Sequence, residues 1–226
     1  MNNNTTIILK KHFLCPDLIE LHIQKPTDFT FLAGQFVQFM IPDGENTAPR
    51  SYSITSPPSQ HELVFVIKLI PGGKAGEYLK TIEVGDSLDI RGPLGHFVHK
   101  EPSSMTCIAT GVGITPIMSL IEDELVTKKT NTPIRLIFGF RHAENIFWIE
   151  KLDKLTKQYS NFSYTLTLSQ ADDAWTGARG RVTEHLPEVD ESEHIYICGN
   201  PHMVKDVRDR YLEQGVESKQ VHFEIF

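Results

Sequence analysis

The chain has 226 residues, of which 40% are hydrophobic and 23% charged, with a formal net charge of -7. That length suits one large domain or two of roughly 100 residues each, and no run stays apolar for the ~20 residues that a membrane helix needs. Dispersed acidic residues speak against a nucleic-acid binder. Three distant cysteines, Cys15, Cys107 and Cys198, with no CxxC pair exclude a disulfide framework, a zinc ribbon and a four-thiolate iron-sulfur cluster.

The polar start of the chain lacks the basic region, apolar run and cleavage site of a secretory signal, so the cytoplasm is the expected compartment. From Thr5 to about Gly95 the sequence predicts six short strands, "TTIILKKHFL", "LIELHIQK", "FVQFMIP", "RSYSIT", "ELVFVIKLI" and "SLDIRGP", divided by Pro, Gly, Asp and Asn. Six antiparallel strands at this spacing imply a small closed barrel. Only "GKAGEYLKTI" in this half reads as helix, directly after Gly72 and Gly73.

Beyond Pro102 strand and helix alternate: "MTCIAT", a helix over 116–128, "PIRLIFGF", a helix over 145–158, "FSYTLTLS", "GRVTEHL", "HIYICG", a helix over 202–214 and a final "VHFEIF". That order predicts a parallel sheet wrapped by helices. In the first helix Ile117, Leu120, Ile121 and Leu125 share an apolar face. The expected organisation is therefore a β-barrel domain over 1–100 and an α/β domain over 101–226, joined near His99 to Ser104. The acidic runs Glu122-Asp123-Glu124 and Glu191-Ser192-Glu193 are expected on solvated faces without function.

Two stretches carry the chemistry. Gly111 and Gly113, in "TCIATGVGITP", follow a buried-type strand and precede an amphipathic helix, the setting of a nucleotide-binding turn. Pro116 stands where a dinucleotide loop often has a third glycine, and proline suits a first helical turn. A tight strand-helix turn with no ligand remains open on this motif alone. In "PRSYSITSPP", Arg50 and Tyr52 share one face of a strand and Ser53 takes the other unless a bulge intervenes. A guanidinium, a phenol and a hydroxyl can together hold a phosphate, cover a ring and bond a ring nitrogen. Packing and a surface ion pair would explain the same residues. Glycines opening the "PGGKAGEYL" helix suggest a second anion site, and two anion sites suggest two nucleotides.

Taken in order, these motifs resemble the flavin-binding ferredoxin-NADP reductase superfamily over essentially the whole chain. "RSYS" at 50–53 is similar to its flavin signature and "GGKAGEYL" at 72–79 to its flavin-pyrophosphate loop. "GPLGHF" at 92–97 resembles the barrel-closing segment, "GVGITP" at 111–116 the pyridine-nucleotide turn, "CGNPHM" at 198–203 the motif near the nicotinamide, and "EIF" the Glu-x-aromatic terminus. The resemblance implies that Arg50 meets a flavin phosphate, Tyr52 packs on the flavin and Ser53 bonds near N5. It also implies cofactor contacts from Ser51, Ile67, Lys68, Gly73, Lys74, Ala75 and Gly76 on the FAD side. On the NAD(P)H side it implies Thr110, Gly111, Gly113, Thr115, Pro116, Arg141, Cys198 and Gly199. Cys198 would lie beside nicotinamide C4, Glu224 would support Ser53 and Cys198, and Phe226 would stack on the flavin as a gate.

Two departures stand out: Gly76 replaces a frequent Ser, and Asn145 replaces a frequent Asp of NADH users. Arg141, Ser169, Arg179 and Arg181 are available to a 2'-phosphate, and the choice tilts to NADH. The implied reaction is hydride transfer from NAD(P)H to FAD, then electron delivery to a separate acceptor such as ferredoxin, flavodoxin or an oxygenase component. Lys10, Lys11, Lys68, Lys74 and Lys80 are the cations that could attract an acidic acceptor. The alternatives are a flavin-carrying subunit of a larger complex that no longer uses NAD(P)H, and a non-catalytic module on the same fold. No Gly-x-Ser-x-Gly turn supports a hydrolase. Of ten histidines only His96 and His99 fall close together, so no metal site is expected.

Overall fold

The computed structural model describes residues 2–99 and 103–225 and resolves into two compact units. One comprises Met1–His99 with Met118–Thr127, the other Lys100–Ile117 with Lys128–Phe226. The first thus recruits a stretch of the helix that the sequence alone groups with the second half.

The first unit holds β1 (Asn2–Cys15), β2 (Leu18–Gln24), β3 (Phe36–Asp43), β4 (Asn46–Ser53), β5 (Glu62–Lys68) and β6 (Ser87–Leu94), ordered β4-β3-β6-β1-β2-β5. Every pairing is antiparallel. The long β1 serves two neighbours, Asn2–Ile7 lying against β6 and Ile8–Cys15 against β2. Beyond β4, the Thr55 N–H donates to the Val64 carbonyl at 2.8 Å, linking the two edges of the sheet. Alternation drives this fold: Ile19, Leu21 and Ile23 of β2 and Val37, Phe39 and Ile41 of β3 point inward, while Glu20 and His22 point out. Phe39 meets Phe65 edge-on at 4.9 Å and Tyr52 at 4.7 Å, so core packing already orients a residue of the flavin signature. The one α-helix over the expected "GKAGEYLKTI" is α1 (Lys74–Thr81), starting from Gly73.

The second unit holds β7 (Met105–Thr110), β8 (Ile134–Phe140), β9 (Phe162–Leu168), β10 (Ala178–Arg179), β11 (His194–Gly199) and β12 (Val221–Ile225), a parallel sheet ordered β10-β9-β8-β7-β11-β12. β7 and β8 are nearly continuous apolar runs because both faces are covered. Crossovers run through α2 (Ile114–Glu122), α3 (Ile149–Gln158) and α4 (Pro201–Glu213).

Several local expectations shift. The helix expected over 116–128 starts at Ile114 after a 3-10 turn and widens into a π-helical turn over Asp123–Lys128. The helix expected from 145 starts at Ile149, after Trp148 takes φ 64°, a reversal that no breaker residue announces. "GRVTEHL" supplies only a 3-10 turn, Val182–Glu184. The acidic runs are not wholly solvated. Asp123 and Glu124 are buried, with Glu124 4.0 Å from His99. Glu193 accepts two bonds from Arg135, at 2.8 and 2.6 Å, and another from Thr106, so it fastens β7 and β8 at its own end of β11. Among the described residues no helix is long and apolar enough to cross a membrane.

Candidate functional site

Each unit carries a share of the residues singled out in the sequence. In the barrel, β3 and β4 pair without a bulge from Phe36 with Ser53 to Asp43 with Asn46. Arg50 and Tyr52 therefore share one face and Ser53 takes the other. Arg50 and Ser51 are exposed, and Arg50 donates to the neighbouring Pro49 carbonyl at 2.9 Å. Burial raises the pKa of the half-buried Tyr52 phenol, and Arg50 opposes the shift. Ser53 and Thr55 are buried, and neither side-chain hydroxyl has a hydrogen-bond partner among the described residues. A buried unpaired hydroxyl costs about 1–3 kcal/mol, so two of them two residues apart mark a place built for a polar ligand. Thr55 is missing from the sequence expectations, although its spacing from Ser53 would have revealed it.

The same unit supplies an anion cradle at the start of α1. Gly72 takes φ 71°, Gly73 is the helix cap, and the first-turn N–H groups of Lys74, Ala75 and Gly76 have no carbonyl partner inside the helix. At Gly76 a Cβ would stand 3.0 Å from the Ile70 carbonyl oxygen. The departure from Ser thus lets this turn lie tightly on residues 69–70 while its N–H groups stay available. The Ile67 side chain belongs to the barrel core, which leaves its backbone for any contact. Lys68 pairs with Asp17 at 3.4 Å and Lys74 with Asp43 at 2.6 Å.

These observations fit FAD: a guanidinium and a helix N-terminus for phosphates, a phenol for a ring face, and two unpaired hydroxyls for ring polar atoms.

In the second unit the strand order reverses at β7, with β8 on one side and β11 on the other, and ligands of open α/β sheets bind at such a switch point. Gly111 takes φ 54° there. Gly113 lies on the Cys198–Gly199 peptide: a Cβ on it would collide with the Cys198 carbonyl and stand 2.6 Å from the Gly199 nitrogen. Gly199, at φ 142°, packs on Thr110, whose hydroxyl accepts from the Asn200 N–H at 3.2 Å. The Thr115 hydroxyl is spent on the Val112 carbonyl at 2.8 Å, and Pro116 is buried in the first turn of α2, so both shape the turn.

Cys198 is buried, and its in-register neighbour on β12 is Glu224. Burial, reinforced by Glu224, pushes the thiol pKa far up, so it stays protonated and is no nucleophile. Burial also lifts the Glu224 carboxyl to about 7. Phe226 lies outside the described residues. Arg141 and Ser169 follow the ends of β8 and β9 and are held together by the Ser169 and Gln170 N–H bonds to the Phe140 and Arg141 carbonyls. Arg181 is exposed nearby in sequence after β10, whereas Arg179 donates to the carbonyls of Ala171, Asp172 and Trp175. Asn145 ends an exposed 3-10 turn.

The family pattern described as "Oxidoreductase FAD-binding domain" matches residues 5–99, and that described as "Oxidoreductase NAD-binding domain" matches 107–209. Ferredoxin-NADP reductase B of Sorangium cellulosum is 32% identical over 228 residues, covering 94% of this chain and 93% of the relative. The chain belongs to the ferredoxin-NADP reductase superfamily. It is an FAD-dependent NAD(P)H oxidoreductase. The toluate 1,2-dioxygenase electron transfer component of Pseudomonas putida is 31% identical over 87% of this chain, which spans only 59% of that protein. In fold, the reductase matches a ferredoxin NADP+ reductase from Neisseria gonorrhoeae with a TM-score of 0.85, 24% identity and 99% and 98% of the two chains covered.

The lysines that could attract an acidic acceptor each have partners within the barrel unit. Lys10 pairs with Glu62, Lys68 with Asp17, Lys74 with Asp43 and Lys80 with Glu77, while Lys11 donates to the carbonyls of Lys80 and Ile82.

Proposed function

We propose that this reductase takes hydride from NADH or NADPH onto FAD held by residues 1–100, with the nucleotide held by 101–226, and delivers electrons to a separate ferredoxin- or flavodoxin-class acceptor. The observation that carries this reading is that a single chain, nearly coextensive with the Sorangium reductase, matches both an FAD-binding and an NAD-binding family pattern.

Bound FAD would supply the conversion between two-electron and one-electron chemistry. The chain's own residues bind, orient and exclude water. Arg50 and the N–H groups of Lys74, Ala75 and Gly76 hold phosphate, Tyr52 covers a ring face, and the Ser53 and Thr55 hydroxyls bond its polar edge. Ser51, Ile67 and Lys68 offer backbone groups beside them. On the nucleotide side Thr110, Gly111 and Gly113 admit a pyrophosphate to the start of α2, in the turn that Thr115 and Pro116 shape. Cys198 and Gly199 wall the nicotinamide position, Glu224 keeps a protonatable carboxyl beside the thiol, and Phe226 gates the ring. Holding two rings at reacting distance contributes several kcal/mol, about 7 or more in favourable cases. Engagement of Arg179 with loop carbonyls supports NADH, while Arg141 and Arg181 keep a 2'-phosphate within reach.

Anaerobic addition of NADH or NADPH to the yellow protein tests this directly. Bleaching of the flavin band by one nucleotide names the donor; a flavin that neither reduces overturns the reading. A second reading, an electron-transfer component of an oxygenase, is favoured by the likeness to the toluate component. Faster reoxidation by an oxygenase component than by ferredoxin or flavodoxin would select it.

A further inference from the structure

Ten residues separate His12 from His22 in sequence, but the β1–β2 hairpin sets His12 directly opposite Glu20, and Glu20 and His22 point from the same outer face of β2. His12 Nε2 lies 3.4 Å and His22 Nε2 3.0 Å from one atom, Glu20 Oε1. All three ligand atoms fall within 4.8 Å of one another. We propose that His12, Glu20 and His22 form a binding site for a divalent cation of the zinc class on the outer face of the barrel.

Four observations support this. First, a tetrahedral zinc ion with bonds of about 2.0–2.1 Å has ligand atoms roughly 3.3–3.5 Å apart, close to the two spacings around Glu20 Oε1. Second, the opposite nitrogen of His22, Nδ1, lies 2.7 Å from Glu62 Oε2. That bond fixes the ring, and a metal at Nε2 would displace any proton held there facing Glu20 while Glu62 keeps the one on Nδ1, the usual carboxylate-histidine support of zinc ligands. Third, two imidazoles and one carboxylate suit zinc-class ions over magnesium or calcium, which take oxygen ligands. Three protein ligands leave a fourth position for water. Fourth, Glu20 and His22 sit across from Val66 and Val64 on β5, and each side chain is only 14% exposed, so the pair is held rather than free in solvent. Lys10 on this face pairs with Glu62 at 3.3 Å. A bound ion would cross-link β1 to β2 and stabilise the barrel in proportion to its occupancy.

The test uses the full flavin-loaded chain, stripped with a chelator and dialysed against Zn2+. One Zn2+ per chain is expected, with affinity lowered at least about tenfold by His12→Ala, Glu20→Gln or His22→Ala, and by about that much by Glu62→Gln. Lys10→Ala should retain the ion. His12 is half-exposed, so His12→Ala keeps its fold, which an unchanged flavin spectrum verifies. Zn2+ should raise the thermal midpoint of the parent protein and not that of His12→Ala. Absence of stoichiometric Zn2+, or binding that His12→Ala leaves intact, overturns the proposal.

Discussion

Gly113 lies on the peptide that Cys198 shares with Gly199, with no room for even a methyl group. The turn and the end of β11 are thereby locked together at the switch point of the sheet. Gly113→Ala should cost about 2–4 kcal/mol, because the colliding atoms are backbone and cannot yield, and should raise the KM for the nucleotide. Gly111 takes φ 54° in open space, so Gly111→Ala should cost only about 1 kcal/mol. Denaturant unfolding of both variants checks the contrast; equal losses would refute the close approach.

Ser53→Ala removes a hydroxyl that has no hydrogen-bond partner among the described residues. The flavin-free variant should be at least as stable as the parent, by up to about 1–3 kcal/mol, because an unpaired buried hydroxyl is removed, whereas FAD should bind roughly three- to tenfold more weakly through one lost hydrogen bond. Flavin titration with thermal melts of the flavin-free protein separates the two. A destabilised flavin-free variant would show that Ser53 is structural.

The thiols should be inert in the folded protein. Burial raises the pKa of both Cys107 and Cys198 far above the ordinary thiol range, and that of Cys15 in the same direction. Iodoacetamide at pH 8 should leave Cys107 and Cys198 unmodified until denaturant is added, as peptide mass spectrometry would read. Rapid native labelling of Cys198 would refute its role as a protonated wall residue.

Glu224 should make stability depend on pH. Its folded pKa of about 7 exceeds the ordinary value of 4.5, so folding penalises the carboxylate above pH 7, and the penalty fades as pH falls from about 7 towards 4.5. Glu224→Gln should therefore stabilise the protein at pH 8.5 by about 2–3 kcal/mol and change little at pH 4.5. Urea unfolding at the two pH values tests the sign. The rate of flavin reduction should show a step near pH 7 that Glu224→Gln removes.

Glu193→Ala strips two bonds from Arg135 and one from Thr106 at a buried position, and should cost about 2–4 kcal/mol. Glu191→Ala, two residues earlier and exposed, should stay within about 0.5 kcal/mol. Comparison of denaturation midpoints decides whether this acidic run is structural.

The sequence by itself determined the two-part architecture, the six barrel strands, the alternation of Arg50, Tyr52 and Ser53, and the Gly111–Pro116 turn. Each is local: strand and helix periods, glycines and prolines act within a few residues, and a barrel strand shows its inner face in every second side chain. Tertiary structure alone decided what meets across strands. It buried Glu193 onto Arg135, left the Ser53 and Thr55 hydroxyls without a partner among the described residues, paired Lys10, Lys68 and Lys74 with carboxylates and brought His12 to Glu20 and His22. Register couples residues through hydrogen-bonded neighbours rather than through spacing along the chain, so no window of sequence contains those pairs.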